Sequence, residues 1–132
     1  MPISVLEHPS DIRLRARGHS FQSALLELMN YVLELIYGKV VRFDFVHTST
    51  IEFEDVTDLV PKAINEALFI SESSDTAGRI KRISLCDHRA LIEYVGEKIS
   101  SKKDYGILVK AATYDRLLVS RDPPVIEVTL DI

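Results

Sequence analysis

Acidic residues stand near both ends of this chain, in positions from which they could share one site. The sequence carries the segment Glu7-His8-Pro9-Ser10-Asp11 near its start and finishes with Leu130-Asp131-Ile132. Carboxylate oxygens are the ligands that Ca²⁺, Mg²⁺ and Mn²⁺ accept, and an added histidine shifts the preference towards Mn²⁺ or Zn²⁺. If the two ends meet, the Asp11 and Asp131 side chains and the Ile132 terminal carboxylate can bind one divalent cation.

The meeting of the two ends depends on the strands that carry them. Polar and apolar side chains alternate over residues 11–17, which predicts a half-buried strand, and residues 125–130 predict the last strand. Antiparallel neighbours bring the start of one strand beside the end of the other, whereas parallel neighbours would separate them by roughly 17–20 Å. The metal-site hypothesis therefore requires that these strands be antiparallel neighbours or converge on one edge.

The same residues also have an ordinary structural interpretation. Three carboxylates within a few ångströms repel one another, so either their pKa values rise or a cation neutralises them. Spacing alone also allows Asp11 to be a cap or turn residue, Asp131 a solvated residue and His8 a surface side chain. From spacing alone this second interpretation is preferred, because isolated acidic residues are common at strand ends.

Two helices are predicted between these strands. Apolar residues recur at spacings of three and four over residues 21–36, which is typical of an amphipathic helix, and Gly38 ends it. A second helix is predicted from about residue 59 to residue 70. Asp58 is its expected cap, because that start places Pro61 in the first turn, where a missing N–H costs no hydrogen bond.

The remaining pattern predicts strands joined by polar turns. The order is strand-helix-strand-strand-helix followed by a run of strands, which predicts an α+β fold with two helices packed on a largely antiparallel sheet. The length of 132 residues fits one domain, residues 1–132. The predicted strands are residues 11–17, 40–46, 51–53, 79–85, 90–95, 107–119 and 125–130, with a polar loop at 71–78 and a turn at 121–124.

Composition excludes several classes of function. The net charge of −4 gives no general attraction to a phosphate backbone, so direct nucleic-acid binding is disfavoured. Arg13, Arg15 and Arg17 could form a basic stripe, but no aromatic residues interleave with them, and we interpret the stripe as a solvated sheet face. The single Cys86 and the lack of a signal peptide or a long apolar run predict a cytoplasmic protein that does not enter membranes.

Three segments together resemble the archease family. That family opens with a Glu-His-Thr-Ala-Asp type of motif, carries Lys-Ala-x-Thr-Tyr-His on a late strand and closes with a Leu-Asp-Ile type of terminus. Here the corresponding segments are residues 7–11, Lys110-Ala111-Ala112-Thr113-Tyr114-Asp115 and residues 130–132. The openings of both predicted helices are also similar, so the resemblance covers nearly the whole chain in the right order.

The resemblance implies a metal-dependent accessory protein and not an enzyme. Archeases assist the tRNA-splicing RNA ligase, promoting its guanylylation and its multiple turnover, so RNA would be reached only through the ligase. The resemblance assigns the metal to Asp11, Asp131 and the Ile132 carboxylate, with Ca²⁺ favoured over Mg²⁺ or Mn²⁺. The residues expected around these ligands are Glu7 and His8, and those expected to contact the partner are Lys110, Tyr114 and Asp115.

Two residues depart from the family pattern, and two other functions stay open. Pro9 stands where threonine is usual, and Asp115 replaces the histidine after Thr-Tyr, which removes an imidazole that could serve the metal or the partner. The alternatives are a small-molecule-binding α+β domain with an apolar pocket, and a metal-dependent phosphohydrolase that uses Asp11 and Asp131 as ligands.

Overall fold

The computed structural model describes residues 2–7, 11–99 and 106–132, and the side chain of Glu7 lies outside that description. Within these ranges the chain forms seven strands and two helices. They are β1 (Ile3–Glu7), β2 (Asp11–Arg17), α1 (Phe21–Tyr37), β3 (Phe45–Glu52), α2 (Val56–Ser74), β4 (Thr76–Cys86), β5 (Arg89–Lys98), β6 (Ala111–Arg121) and β7 (Pro124–Asp131).

The strands form two sheets in which every pairing is antiparallel. One sheet has four strands in the order β1-β2-β7-β6, and the other has three in the order β3-β5-β4. The predicted α+β class, with two helices on antiparallel strands, is confirmed, although the strands are divided between two sheets. The last strand β7 lies between β2 and β6, so the two ends of the chain are neighbours in the four-stranded sheet.

Helix α1 forms where its apolar periodicity predicts it. The Ser20 side chain accepts a hydrogen bond from the Ser23 N–H at 3.1 Å, which caps the first turn, and the Gly38 N–H closes the last turn on the Glu34 carbonyl. No helix among the described residues is long and apolar enough to cross a bilayer. The face of α1 that packs into the core consists of Phe21, Ala24, Leu25, Leu28, Met29, Val32, Leu33 and Ile36.

Helix α2 begins earlier and ends later than predicted. The prediction of Asp58 as its cap is wrong, because the Asp55 carboxylate accepts the Thr57 N–H at 2.8 Å and starts the helix at Val56. Pro61 therefore lies inside the helix, where it forgoes one hydrogen bond while the flanking apolar residues bury this turn in the core. Residues 71–74, predicted as a loop, are the last turn of α2.

Three strands differ from the sequence prediction. Strand β1 was not expected, and β6 begins at Ala111 and not at residue 107. The two short strands predicted at 40–46 and 51–53 are replaced by the single strand β3. Its central residues 48–50 are polar and lie at least partly exposed to solvent, and β-branched threonines favour the extended conformation.

Each helix uses one asparagine to cover the edge of a sheet. In α1 the Asn30 amide donates to the Ile80 carbonyl at 3.0 Å and its oxygen accepts the Ile80 N–H at 2.7 Å, on the edge strand β4. In α2 the Asn65 amide makes the same two contacts with Ala112 of β6, at 3.2 and 2.7 Å. These amides satisfy the groups that a neighbouring strand would otherwise pair, and they join each helix to a sheet edge.

We expect Asn65→Asp to destabilise the protein by about 1–3 kcal/mol, because a carboxylate accepts the Ala112 N–H but cannot donate to the Ala112 carbonyl. Urea unfolding at neutral pH measures the change. Glu27→Gln, on the exposed face of α1, is the control, because it also exchanges a carboxylate and an amide but at a solvated position. It should change the free energy of unfolding by no more than about 0.5 kcal/mol. Equal stability of the Asn65→Asp variant and wild type would contradict the assigned role.

Candidate functional site

The pairing of β2 with β7 brings the two predicted acidic ligands together. Asp11 and Asp131 are direct register partners on these antiparallel strands. Directly opposed residues project from the same face of a sheet with their Cβ atoms about 4.5–5.5 Å apart. The structural requirement of the metal-site hypothesis is therefore met. We name Asp11 and Asp131 the carboxylate pair.

The carboxylate pair lies on the outer face of the four-stranded sheet. Their neighbours Ile12 and Leu130 pair with each other and turn to the core, where they are almost completely buried. The Ile132 side chain also packs against the core, while the Asp131 side chain is exposed. Ile132, whose carboxylate belongs to the predicted ligand set, directly follows Asp131.

The donor atoms placed at this end of β2 and β7 are carboxylate oxygens. Across the described ranges, no group of three or more His, Cys, Asp or Glu side chains is close enough to hold a metal ion. The carboxylate pair supplies two such side chains, and the remaining donor of the predicted set, the Ile132 carboxylate, belongs to the main chain. The side chain of Glu7 and all of His8 lie outside the described residues. The oxygen donors that are placed here match the ligands of Ca²⁺ or Mg²⁺.

An ion-pair network occupies the same sheet face next to the carboxylate pair. The Arg13 guanidinium contacts Glu127 at 2.6 Å and the Thr129 hydroxyl at 3.3 Å, and Arg15 contacts Glu127 at 2.8 Å. These hydrogen bonds hold the pKa of Glu127 below its usual range, and the hydrogen bond from Arg15 has the largest effect. Arg13 is only 8% exposed, so the interpretation of this arginine as solvated is wrong. The network has two positive charges and one negative charge, a net charge of +1 beside the pair.

The network also holds a bulge in β6. Residues 114–117 stand opposite Val128 alone, so β6 bends outward at this point. The Arg13 guanidinium donates to the Arg116 carbonyl at 2.9 Å, and the Thr129 hydroxyl donates to the Asp115 carbonyl at 3.0 Å. Arg116 adopts a left-handed backbone conformation with φ of 51°. Arg13 and Thr129 thus fix a projection that carries two of the predicted contact residues.

The predicted partner-contact residues occupy two places. The Lys110 N–H donates to the Asp131 carbonyl at 2.8 Å, so Lys110 lies beside the carboxylate pair with its side chain exposed. Tyr114 and Asp115 lie on the bulge in β6, four and five residues after Lys110, which is at most about 13–17 Å of extended chain. The Tyr114 hydroxyl donates to the Asp58 carboxylate, which also contacts Lys62 at 2.9 Å. This hydrogen bond lowers the pKa of Asp58 and raises that of Tyr114.

Sequence reasoning missed the role of the ion-pair network. Glu127 carried no distinguishing motif, and its partners lie more than a hundred residues away along the chain. A signal was present only in combination, because an antiparallel pairing of Asp11 with Asp131 necessarily places Arg15 opposite Glu127. Once the terminal strands were assumed to be antiparallel neighbours, the pairing of Arg15 with Glu127 could have been predicted from that of Asp11 with Asp131.

Nearly the whole chain matches one protein family. The Archease protein family model covers residues 4–132. The chain belongs to the archease family. No curated protein matches it.

Two solved structures share the fold of this archease. The solution structure of protein 1598 from Methanobacterium thermoautotrophicum has a TM-score of 0.82 and 20% sequence identity, with 99% of each chain covered. The crystal structure of an archease described as a possible chaperone, from Thermotoga maritima, has a TM-score of 0.64 and 22% identity, covering 97% of this chain and 94% of the other. At these identities the likeness establishes the fold.

We expect Glu127→Gln to reduce stability at pH 7 by about 2 kcal/mol, because Arg13 loses its charged partner in a mostly buried position. The folded-state pKa of Glu127 is lowered, so this contribution is complete above about pH 4.3 and is lost as the pH falls through the folded value. The difference from wild type should therefore shrink on acidification. Chemical unfolding from pH 7 to pH 3 measures it, with Glu34→Gln on α1 as the exposed control. A constant difference would refute the assignment.

Proposed function

We propose that this archease is a metal-binding accessory protein that activates an RNA ligase of the tRNA-splicing type. It would promote guanylylation of the ligase and its multiple turnover, without being an enzyme itself. The observation that carries the proposal is the register pairing of Asp11 with Asp131, the two residues that match the metal ligands of the family motifs. The accessory role agrees with membership of the archease family and with the description of the Thermotoga maritima protein as a possible chaperone.

The proposed cation is held by Asp11, Asp131 and the Ile132 carboxylate, with Ca²⁺ preferred and Mg²⁺ or Mn²⁺ accepted. When bound, it supplies positive charge at the edge of the sheet and offsets the repulsion between the carboxylates. Glu7 and His8 are proposed to lie around these ligands. Oxygen donors alone favour a hard cation, whereas a contribution from His8 would move the preference towards Mn²⁺.

The proposed partner contacts are Lys110, Tyr114 and Asp115. Lys110 adjoins the carboxylate pair, so a protein that approaches the cation meets this side chain as well. Tyr114 is 58% exposed and held by Asp58, and the bulge that carries it is supported from the other side by Arg13. This geometry presents the phenol and the Asp115 carboxylate in a defined orientation. RNA is reached only through the ligase, in the cytoplasm.

We expect Asp131→Asn to weaken cation binding by about tenfold or more, because it removes one of the anionic donors that set affinity. Isothermal titration with Ca²⁺, Mg²⁺ and Mn²⁺ measures the change. Extending the chain beyond Ile132 should weaken binding too, whereas a tag before Met1 should not. Asp122→Asn, an exposed acidic residue in the turn before β7, is the matched control. Unchanged affinity in Asp131→Asn would remove the carboxylate pair from the metal site.

We expect wild-type protein to stimulate multiple-turnover RNA ligation by a tRNA-splicing ligase, and Asp131→Asn to lose most of that stimulation. The substrate ends carry a 2′,3′-cyclic phosphate or a 3′-phosphate, and the readouts are ligated product per ligase and the fraction of guanylylated ligase. Asp122→Asn is again the control. The absence of any stimulation at stoichiometric amounts would overturn the proposed function.

A further inference from the structure

An apolar groove lies directly beside the carboxylate pair. It occupies ≈ 510 Å³ between the last turns of α1 and α2 and residues 106–110, and we name it the terminal groove. Its apolar wall includes Ile36, Tyr37, Leu68 and Leu108, and its charged residues are Glu72 and Lys110. Lys110 joins this groove to the carboxylate pair, because its side chain lines the groove and its N–H donates to the Asp131 carbonyl.

Residues 106–110 are held in place at both ends. The N–H groups of Gly106 and Ile107 each donate at 3.0 Å to a carbonyl in the last turn of α1, and Val109 is buried. A Cβ atom on Gly106 would lie 2.3 Å from the Leu35 carbonyl oxygen, so this close approach requires glycine. Leu108 is 69% exposed although it lies between these anchors. Its exposure is therefore built into a fixed backbone.

A second exposed apolar side chain extends the same surface. Phe69 follows Leu68 on α2 and is 64% exposed. It lies one helical turn beyond Asn65, which contacts Ala112 of β6, and directly after Leu68, which lines the groove. Exposed apolar residues grouped around a groove mark interaction sites more often than scattered ones do.

The distance to the carboxylate pair limits what can cover the groove. Leu108 stands three residues before Ala111, the register partner of Asp131, which is at most about 10 Å of extended chain. A standard protein interface buries about 800 Å² on each partner, a patch of roughly 16 Å radius. An interface of that size centred near the carboxylate pair is wide enough to cover the terminal groove as well.

We propose that the terminal groove is the apolar anchor of the interface with the partner that receives the carboxylate pair. This inference rests on the proposed function. The occupant is an apolar side chain of that ligase, with a basic residue beside it that faces Glu72. Apolar side chains buried in pockets near the centre of an interface contribute most of its affinity, whereas solvated charges contribute mainly to specificity and to the rate of association. Affinity and cation binding are therefore separable in this protein.

The test compares ligase binding with cation binding in the same variants. Leu108→Asp should weaken binding to the ligase, measured by biolayer interferometry, at least tenfold, and leave the Ca²⁺ affinity from isothermal titration unchanged. Leu108→Ala should weaken ligase binding less, and it guards against misfolding of the aspartate variant. Leu91→Asp is the matched control, because Leu91 is exposed on the three-stranded sheet. Thermal unfolding of each variant verifies that it is folded.

The charge of the occupant has its own test. Glu72→Lys should weaken ligase binding, because it opposes the expected basic residue, whereas Glu27→Lys, on the exposed face of α1 and away from its last turn, should not. Equal binding by Glu72→Lys and wild type would overturn the basic character of the occupant.

The remaining outcomes separate this inference from the proposed function. If wild type binds the ligase and Leu108→Asp binds equally well, the terminal groove is not the anchor, while the proposed function stands. If wild type binds no ligase with or without Ca²⁺, both fall. A dimer of wild type in light scattering that Leu108→Asp dissociates would show that a second copy occupies the groove, and would overturn the inference.

Discussion

Strands β2 and β7 pair over seven consecutive positions, from Asp11 with Asp131 to Arg17 with Val125. The inner face of this pairing is apolar and almost completely buried against the core, while the outer face carries the carboxylate pair and the ion-pair network. Shifting the register by one residue would turn the charged face into the core, so hydrophobic burial fixes which acidic residues meet. The same contact that closes the sheet thus assembles the candidate site.

The outer face of that pairing carries two kinds of charge interaction. The carboxylate pair repels and is partly exposed to solvent, whereas the ion-pair network attracts and is more deeply buried. Asp131 is exposed, where water screens its repulsion with Asp11, whereas Arg13 is buried and has three acceptors. A buried charge is tolerated only when it is paired and hydrogen-bonded, and Glu127 and Thr129 meet that condition for Arg13. The ion-pair network is therefore shielded within the sheet face, whereas the carboxylate pair stands at the ends of the two central strands, where Asp131 is exposed.

Two neighbouring features extend the candidate site in opposite directions along the edge of the four-stranded sheet. Arg13 supports the bulge that presents Tyr114, and residues 106–110 form one wall of the terminal groove. Both belong to β6 or to the segment just before it, and Asn65 joins this strand to α2 between them. Side-chain and main-chain hydrogen bonds therefore hold the edge strand and the segment before it at several points along its length.

Local patterns in the sequence were sufficient for part of this structure. The periodicity and cap of α1, the alternation in β2 and the turn before β7 depend on residues only a few positions apart, and each was predicted close to its observed bounds. The cap of α2 was misplaced, because a buried apolar turn keeps Pro61 inside the helix despite its missing N–H. Strand β3 was divided in two because its polar centre is stabilised by pairing with β5.

Short-range sequence patterns specify the two helices, most of the strands and the motifs at the two ends. Long-range packing places Asp11 opposite Asp131, buries Arg13 against Glu127 and produces the bulge of β6 beside them. Those contacts join residues about a hundred or more positions apart or depend on the neighbouring strand. Nothing in the local pattern of either partner specifies such a contact, and the burial of the shared core selects it.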